Sequence, residues 1–138
     1  MTTVKISDDQ SHWMGMDDYE IILTESGHAI ELKYLGEPPH GDSYHSLNVD
    51  GLQLEGFFWG CNFIFPDQQK YMVCSWMEKL YERKTIVVNL SAKSTYLMSD
   101  YWYDYKVNGD VLIFENNNFG TTTRLEIKNI QNLPFNIK

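Results

Sequence analysis

The sequence predicts an α+β fold: a strongly twisted, mostly antiparallel sheet or half-barrel of about seven to nine strands, curled around one central amphipathic helix. Three observations carry this expectation. Only one stretch, residues 66–83 (PDQQKYMVCSWMEKLYER), sustains a helical period. Around it lie short runs rich in Ile, Val, Leu, Tyr and Phe, separated at three places by the turn pairs Ser26-Gly27, Asp50-Gly51 and Asn108-Gly109. With 138 residues, 43% of them hydrophobic, the chain can bury about two thirds of its unfolded surface as a single domain over 1–138, with no need of a staple.

Residues 1–16 show no period and mix Asp8, Asp9 and Gln10 with Trp13, Met14 and Met16. They predict an irregular lead-in whose apolar end tucks onto the body. Tyr19 to Glu25 and His28 to Leu35 form a hairpin, and the second strand alternates so that one of its faces is apolar. Residues 36–46 (GEPPHGDSYHS) are the clearest loop. Asp50-Gly51 suits a type I′ turn. The run from Gly56 to Phe65 reads as an aromatic-rich strand in which Gly56 and Gly60 mark bulges or close backbone approach.

In the helix expected at about 66–83, Val73, Trp76, Met77 and Leu80 share one stripe at about 100° per residue, with Met72 and Tyr81 at its margins. Ser75, Glu78, Lys79 and Glu82 face away. Pro66 suits the first turn, and Asp67 at the start with Lys79, Arg83 and Lys84 at the end match the helix dipole. Such a stripe packs against a sheet. Lys84 to Ser91 is the most apolar strand and the candidate for the middle of that sheet, and residues 94–99 give a weaker one. Asn108-Gly109 marks the strongest hairpin, with Tyr105 facing Leu112, Tyr103 facing Phe114, and Trp102, Asp104 and Lys106 on the other face. TTTRLEIKNI closes the sheet, and the tail with Pro134 runs along an edge.

The net charge is −8, and it is unevenly spread. Residues 1–65 hold 11 Asp or Glu against 2 Lys or Arg, whereas residues 66–138 hold 8 against 9. A field of this sign repels nucleic-acid phosphates and anionic membrane and attracts a basic protein surface or a cation. Plain solubility is the other use for it. The start of the chain has neither the apolar run nor the cleavage pattern of a secretion signal, and the most apolar run, 57–65, is broken by Gly60 and Asn62. The expectation is a soluble, cytoplasmic protein. Cys61 and Cys74 read as buried thiols, with one disulfide between them left open.

Catalytic chemistry finds little to stand on. His40, Asp42 and His45 sit close in sequence, but without a frame to fix three ligands, so no metal and no cofactor are expected. There is no GxSxG elbow and no phosphate-binding glycine motif, and neither cysteine has a basic neighbour in sequence to activate it. Asp17-Asp18 reads as a solvated face rather than an acid/base pair. The series Tyr96, Tyr101, Trp102, Tyr103 and Tyr105 has only Lys93 and Lys106 near it, too few for a nucleic-acid groove. Core packing and contact with a protein partner are the uses that remain.

The leading expectation is therefore a non-enzymatic protein-binding module with a basic partner. Its contacts are expected at Asp17, Asp18, Glu37, Asp42 and Asp50 on the lead-in and loops, with Trp102 as an exposed aromatic anchor. The alternative is a small-ligand binder or enzyme with a cleft between sheet and helix, lined by Phe57, Trp59, Phe63, Tyr103 and Tyr105. In its length, its acidic first half and its lack of a complete catalytic motif, the chain resembles the small acidic immunity proteins of bacterial toxin systems. That resemblance implies a cytosolic single domain that binds and neutralises a cognate toxin, often a basic nuclease, and it carries over no particular residue.

Overall fold

The computed structural model describes residues 1–39, 41–116 and 120–136. Its strands are β1 (Thr2–Ile6), β2 (Tyr19–Leu23), β3 (Ala29–Gly36), β4 (Tyr44–Val49), β5 (Leu52–Gln53), β6 (Phe57–Trp59), β7 (Tyr71–Met77), β8 (Lys84–Asn89), β9 (Ser94–Leu97), β10 (Asp104–Asn108), β11 (Val111–Asn116) and β12 (Thr121–Glu126). The first nine make one sheet in the order β1-β2-β3-β4-β6-β7-β8-β9, with β5 paired to β4, and the last three make a second. β1 is parallel to β2, and the remaining pairs are antiparallel.

The fold is mostly β, with 51% of the described residues in strands and 8% in helices, and this corrects the α+β expectation. No central amphipathic helix exists among the described residues. Pro66–Gln69 makes a single turn in which Asp67, Gln68 and Gln69 take φ of 58°, 55° and 62°, the left-handed region. Tyr71–Met77 then runs as a strand in which every residue is buried. A strand covered on both faces needs no alternation, so YMVCSWM shows no period of two, and its apolar residues fall on a helical stripe by default. Trp76, Val73 and Met77 enter three separate clusters, while Leu80 is 49% exposed at the β7–β8 turn.

The large sheet rolls up. Laid flat, β3 and β8 would stand about 19 Å apart across four strand spacings, yet His28 Nε2, just before β3, lies 3.3 Å from Ser91 Oγ, just after β8. The rolled face encloses the main core, which runs from Ile6 and Ile21 through Leu32, Leu47 and Phe58 to Met72, Cys74, Ile86 and Val88. The other face of β7 and β8 offers Tyr71, Val73 and Val87, and these pack against Tyr105, Leu112 and Phe114 of the three-stranded sheet. A small third cluster joins Trp59, Cys61 and Met77. Both cysteines are buried free thiols.

The lead-in is also corrected. Thr2–Ile6 pairs with β2 from Thr2↔Tyr19 to Ile6↔Leu23, although Met14 is buried as its position suggested. An outer strand exposes most of its side chains, so its apolar pattern is faint. The β10–β11 hairpin forms, but it turns on Gly109-Asp110, so that Asn108 pairs with Val111 and Tyr105 with Phe114. The slip is even, so Tyr105, Leu112 and Phe114 still share the core face. Asp50-Gly51 has φ of 50° and 87°, as a type I′ turn requires. At Gly56 a Cβ would lie 2.3 Å from the Trp76 indole nitrogen, so only glycine admits that ring. Asn136 bridges to Thr95 on β9, the outer strand along which the tail runs.

Candidate protein-binding surface

After β1 the chain crosses to the region of β6 and is fastened there. His12 and Phe63 exchange amide-to-carbonyl hydrogen bonds of 2.7 Å each, and the Met14 amide donates to the Gly60 carbonyl at 2.7 Å. Ser43 Oγ donates to the Gly15 carbonyl at 2.9 Å, and the Gly15 amide donates to the Tyr19 hydroxyl at 2.9 Å. The Thr2 amide closes the segment by donating to the Asp18 carbonyl at 2.8 Å. Between these fastenings Trp13 and Met16 project, 56% and 63% exposed.

Four exposed carboxylates flank them in sequence, Asp8 and Asp9 before and Asp17 and Asp18 after, in a stretch without Lys or Arg. Burial tends to raise the Asp8 carboxyl, but hydrogen bonds from His12 and the Gln10 amide outweigh it, so its pKa lies below the ordinary value. The Thr2 hydroxyl, then the Asp18 amide, hold Asp17 below the ordinary value as well. Asp18 Oδ1 accepts from the Tyr34 amide at 2.8 Å, which fixes the carboxylate against β3.

His45 of β4 lies fully buried beneath this segment. Its Nε2–H donates to the Asp17 carbonyl at 3.1 Å, while Nδ1 has no partner among the described residues. The Tyr19 and Tyr34 rings flank it at 6.2 and 5.9 Å. Burial lowers its pKa, against the opposing pull of backbone carbonyls and Asp18. The neutral imidazole is therefore the form that fits.

Beside the segment lies a polar cluster centred on Arg83. Its Nη1 donates to Asp42 Oδ2 at 3.0 Å, and its guanidinium stacks 3.9 Å over the Trp59 ring. Cys61 Sγ lies 3.7 Å from Nη1 and donates to Ser75 Oγ at 3.6 Å, and Ser75 is 3.0 Å from the Tyr101 hydroxyl. Burial pushes Tyr101 up to about 12 and raises the Cys61 thiol, with Ser75 and Arg83 pulling it down more weakly. The thiol is thus held protonated, the opposite of an activated nucleophile. What the cluster does is fix Arg83 and, through it, Asp42.

The predicted contact residues divide. Asp17 and Asp18 share the fastened segment, and Glu37 is exposed in the loop after β3. Asp42 is engaged by Arg83. Asp50 accepts from the Ala29 amide at 2.8 Å and pairs with His28 at 2.6 Å and Lys93 at 3.5 Å, so it locks a turn. Trp102 is corrected outright: it is 8% exposed, packs near Phe114, and exchanges hydrogen bonds through its backbone with Thr85 Oγ1. Of the residues weighed for a metal site, His45 and Asp42 point to separate partners, and His40 lies outside the described residues.

The alternative cleft does not assemble from its five aromatics. Phe63 is in the main core, Tyr105 in the second and Trp59 in the third, while Phe57 is half-buried and Tyr103 is 39% exposed. Cavities of about 320, 260 and 200 Å³ open elsewhere, beside Asp67 and Glu126, beside Glu31 and Asn48, and beside Glu78 and Leu97. Trp13, Met16, Leu80 and Tyr81 are exposed apolar residues that sequence reasoning assigned to packing. The only early signal was Trp13 and Met16 set among acids. No helix among the described residues is long and apolar enough to cross a membrane. Compared with protein-family models, with curated proteins and with solved structures, the chain finds no match in any of the three.

Proposed function

We propose that the protein is a non-enzymatic binding module for a protein with a basic surface, acting in the cytoplasm as an immunity-type inhibitor does. One observation supports the reading above the others. An exposed tryptophan and methionine lie in sequence between two pairs of exposed carboxylates, on a backbone fastened at both ends and in the middle. Aromatic and methionine side chains supply much of the affinity of protein interfaces, charges set the encounter rate, and a preorganised backbone lowers the ordering cost of binding.

The test begins with a photo-reactive residue in place of Met16, which marks the partner in lysate of the source cells. Association and dissociation rates are then measured with the purified partner across a salt series. The variant Asp8→Asn, Asp9→Asn, Asp17→Asn, Asp18→Asn keeps an acceptor oxygen at each position and removes the charge. Wild-type association should fall steeply with salt and that of the variant should be slower and nearly flat, whereas Trp13→Ala should act mainly on dissociation. Equal, salt-independent association by both proteins would sink the proposal.

A further inference from the structure

The β7–β8 hairpin ends in a tip that exposes two adjacent large apolar side chains, Leu80 at 49% and Tyr81 at 56%. Neither belongs to any of the three core clusters. Tyr81 has φ of 72°, a left-handed conformation that bulky residues rarely adopt. Yet the tip is tied down. The Tyr81 amide donates to Met77 Sδ at 3.1 Å, the Lys79 amide to Glu82 Oε1 at 2.7 Å, the Glu82 amide to the Lys79 carbonyl at 3.2 Å, and Trp59 Nε1 to the Glu82 carbonyl at 2.9 Å. A strained residue that is held rigidly while its ring faces solvent points to a use outside the fold.

The tip adjoins the acidic segment through two short links. Arg83 pairs with Asp42, whose neighbour Ser43 holds the Gly15 carbonyl. Trp59 holds the Glu82 carbonyl, and its neighbour Gly60 accepts from the Met14 amide. The charges of the tip are largely matched internally, Arg83 by Asp42 and Lys84 by Glu82. In the segment Asp8 has His12 beside it at 2.7 Å, while Asp9, Asp17 and Asp18 have no ion-pair partner among the described residues, so the shared surface repels a second copy of itself and suits a basic protein.

We infer that Leu80 and Tyr81 are a second anchor of the same binding surface, inserting into an apolar pocket of the basic partner while the acids of residues 8–18 lie against its charged rim. The inference rests on the proposed function and deepens it by naming the kind of pocket the partner must offer. Because the tip is nearly neutral, its contribution is to the lifetime of the complex and not to its salt dependence.

The probe is the chain itself with a benzophenone side chain in place of Tyr81, compared with the same group at Met16 and at Lys128, irradiated in lysate of the source cells. Positions 81 and 16 should mark one and the same basic protein, and position 128 should not. With that protein purified, Tyr81→Ala and Leu80→Ala should each raise Kd by about tenfold, through dissociation, with the salt slope unchanged. Tyr81→Gly should bind as weakly as Tyr81→Ala while melting no lower than wild type, since glycine accepts the positive φ. An adduct from 16 but not 81, or wild-type affinity in Tyr81→Gly, overturns the anchor and leaves the proposed function standing. An adduct from 81 with salt-independent association removes the acidic surface and keeps the tip. No adduct from either position overturns both.

Discussion

Replacing Gln69 should reveal how the rolled sheet is fastened. Gln69 is 1% exposed and sits third in the left-handed turn, with φ of 62°. Its Oε1 accepts from the Glu25 amide at 2.8 Å and, more loosely, from the Ser26 amide at 3.4 Å, while Nε2 donates to the Ile6 carbonyl at 2.7 Å. One side chain thus ties the edge strand and the β2–β3 turn to the entry of β7. In Gln69→Ala two good hydrogen bonds go, at about 1 kcal/mol net each. The full desolvation penalty does not apply, because the Ile6 carbonyl keeps the Thr24 amide at 3.1 Å and Glu25 is exposed to water. The vacated volume adds about 1 kcal/mol, for a loss of roughly 3 kcal/mol. Gln69→Gly loses the same contacts but recovers about 1 kcal/mol of left-handed strain, so it should be the more stable of the two. This inverts the usual order of alanine over glycine within regular structure. Urea melts of both variants, with unchanged m, would measure it. A loss below about 1 kcal/mol in the alanine variant, or alanine ahead of glycine, would refute the reasoning.

Two further expectations follow from other buried contacts. Trp76→Ala should cost about 3 to 5 kcal/mol as a buried large-to-small change, and Gly56→Ala should also destabilise, because its Cβ would meet the Trp76 ring within 2.5 Å. The clash part of the Gly56→Ala loss depends on that ring, while the φ of 85° at Gly56 leaves a strain that remains without it, so the double variant should lose less than the two added together by the clash part alone, as denaturant melts will show. His45 predicts a pH dependence. Its pKa is lowered on folding, so its contribution is complete above the ordinary value of 6.5 and is lost as pH falls from there toward the folded value. Thermal melts should therefore show a decline over that interval that is flatter in His45→Gln. Asp8, Asp17 and Asp50, each held below the ordinary 3.8, act only at lower pH. Identical profiles for the two proteins would rule His45 out.

Much of the strand layout was legible because it rested on turn chemistry and alternation. Ile21↔Ile30 and Val49↔Leu52 pair around the turns that Ser26-Gly27 and Asp50-Gly51 announced. Gly56 and Gly60 are the close approaches their positions implied, the latter 2.5 Å from Ser43 Oγ at its would-be Cβ. What failed was reading burial on both faces as a helical stripe. Tyr71–Met77 is covered by the main core on one side and by the three-stranded sheet on the other, and no local pattern encodes a second sheet that begins only at Asp104. The same cause hid Trp102, which joins Tyr71, Val73 and Val87 of the remote β7 and β8 in the second core cluster. The acidic segment was visible as composition, but its fastening depends on Phe63, Gly60 and Ser43, which are remote in sequence.

The left-handed residues separate strain that serves the fold from strain that does not. Asp50 spends its carboxylate on Ala29, His28 and Lys93, Asn62 donates its amide to the Tyr103 carbonyl, Gln69 ties three segments, and Lys93 reaches the Leu90 carbonyl. Asp67 and Gln68 are polar and share the turn that places Gln69. In each of these the cost of an unfavourable φ, about 1 kcal/mol or more, is offset by a contact the conformation makes available, or by the neighbour it positions. Tyr81 differs. It is the one bulky apolar residue with positive φ among the described residues; its amide reaches Met77 Sδ, but its ring stays 56% exposed and belongs to none of the core clusters. The fully buried β7 can carry that cost, since seven covered residues stabilise the hairpin by several times the strain at its tip. A sheet that anchors a strained tip so firmly lets Tyr81 be presented in one conformation, and that is the property by which a partner's pocket would select it.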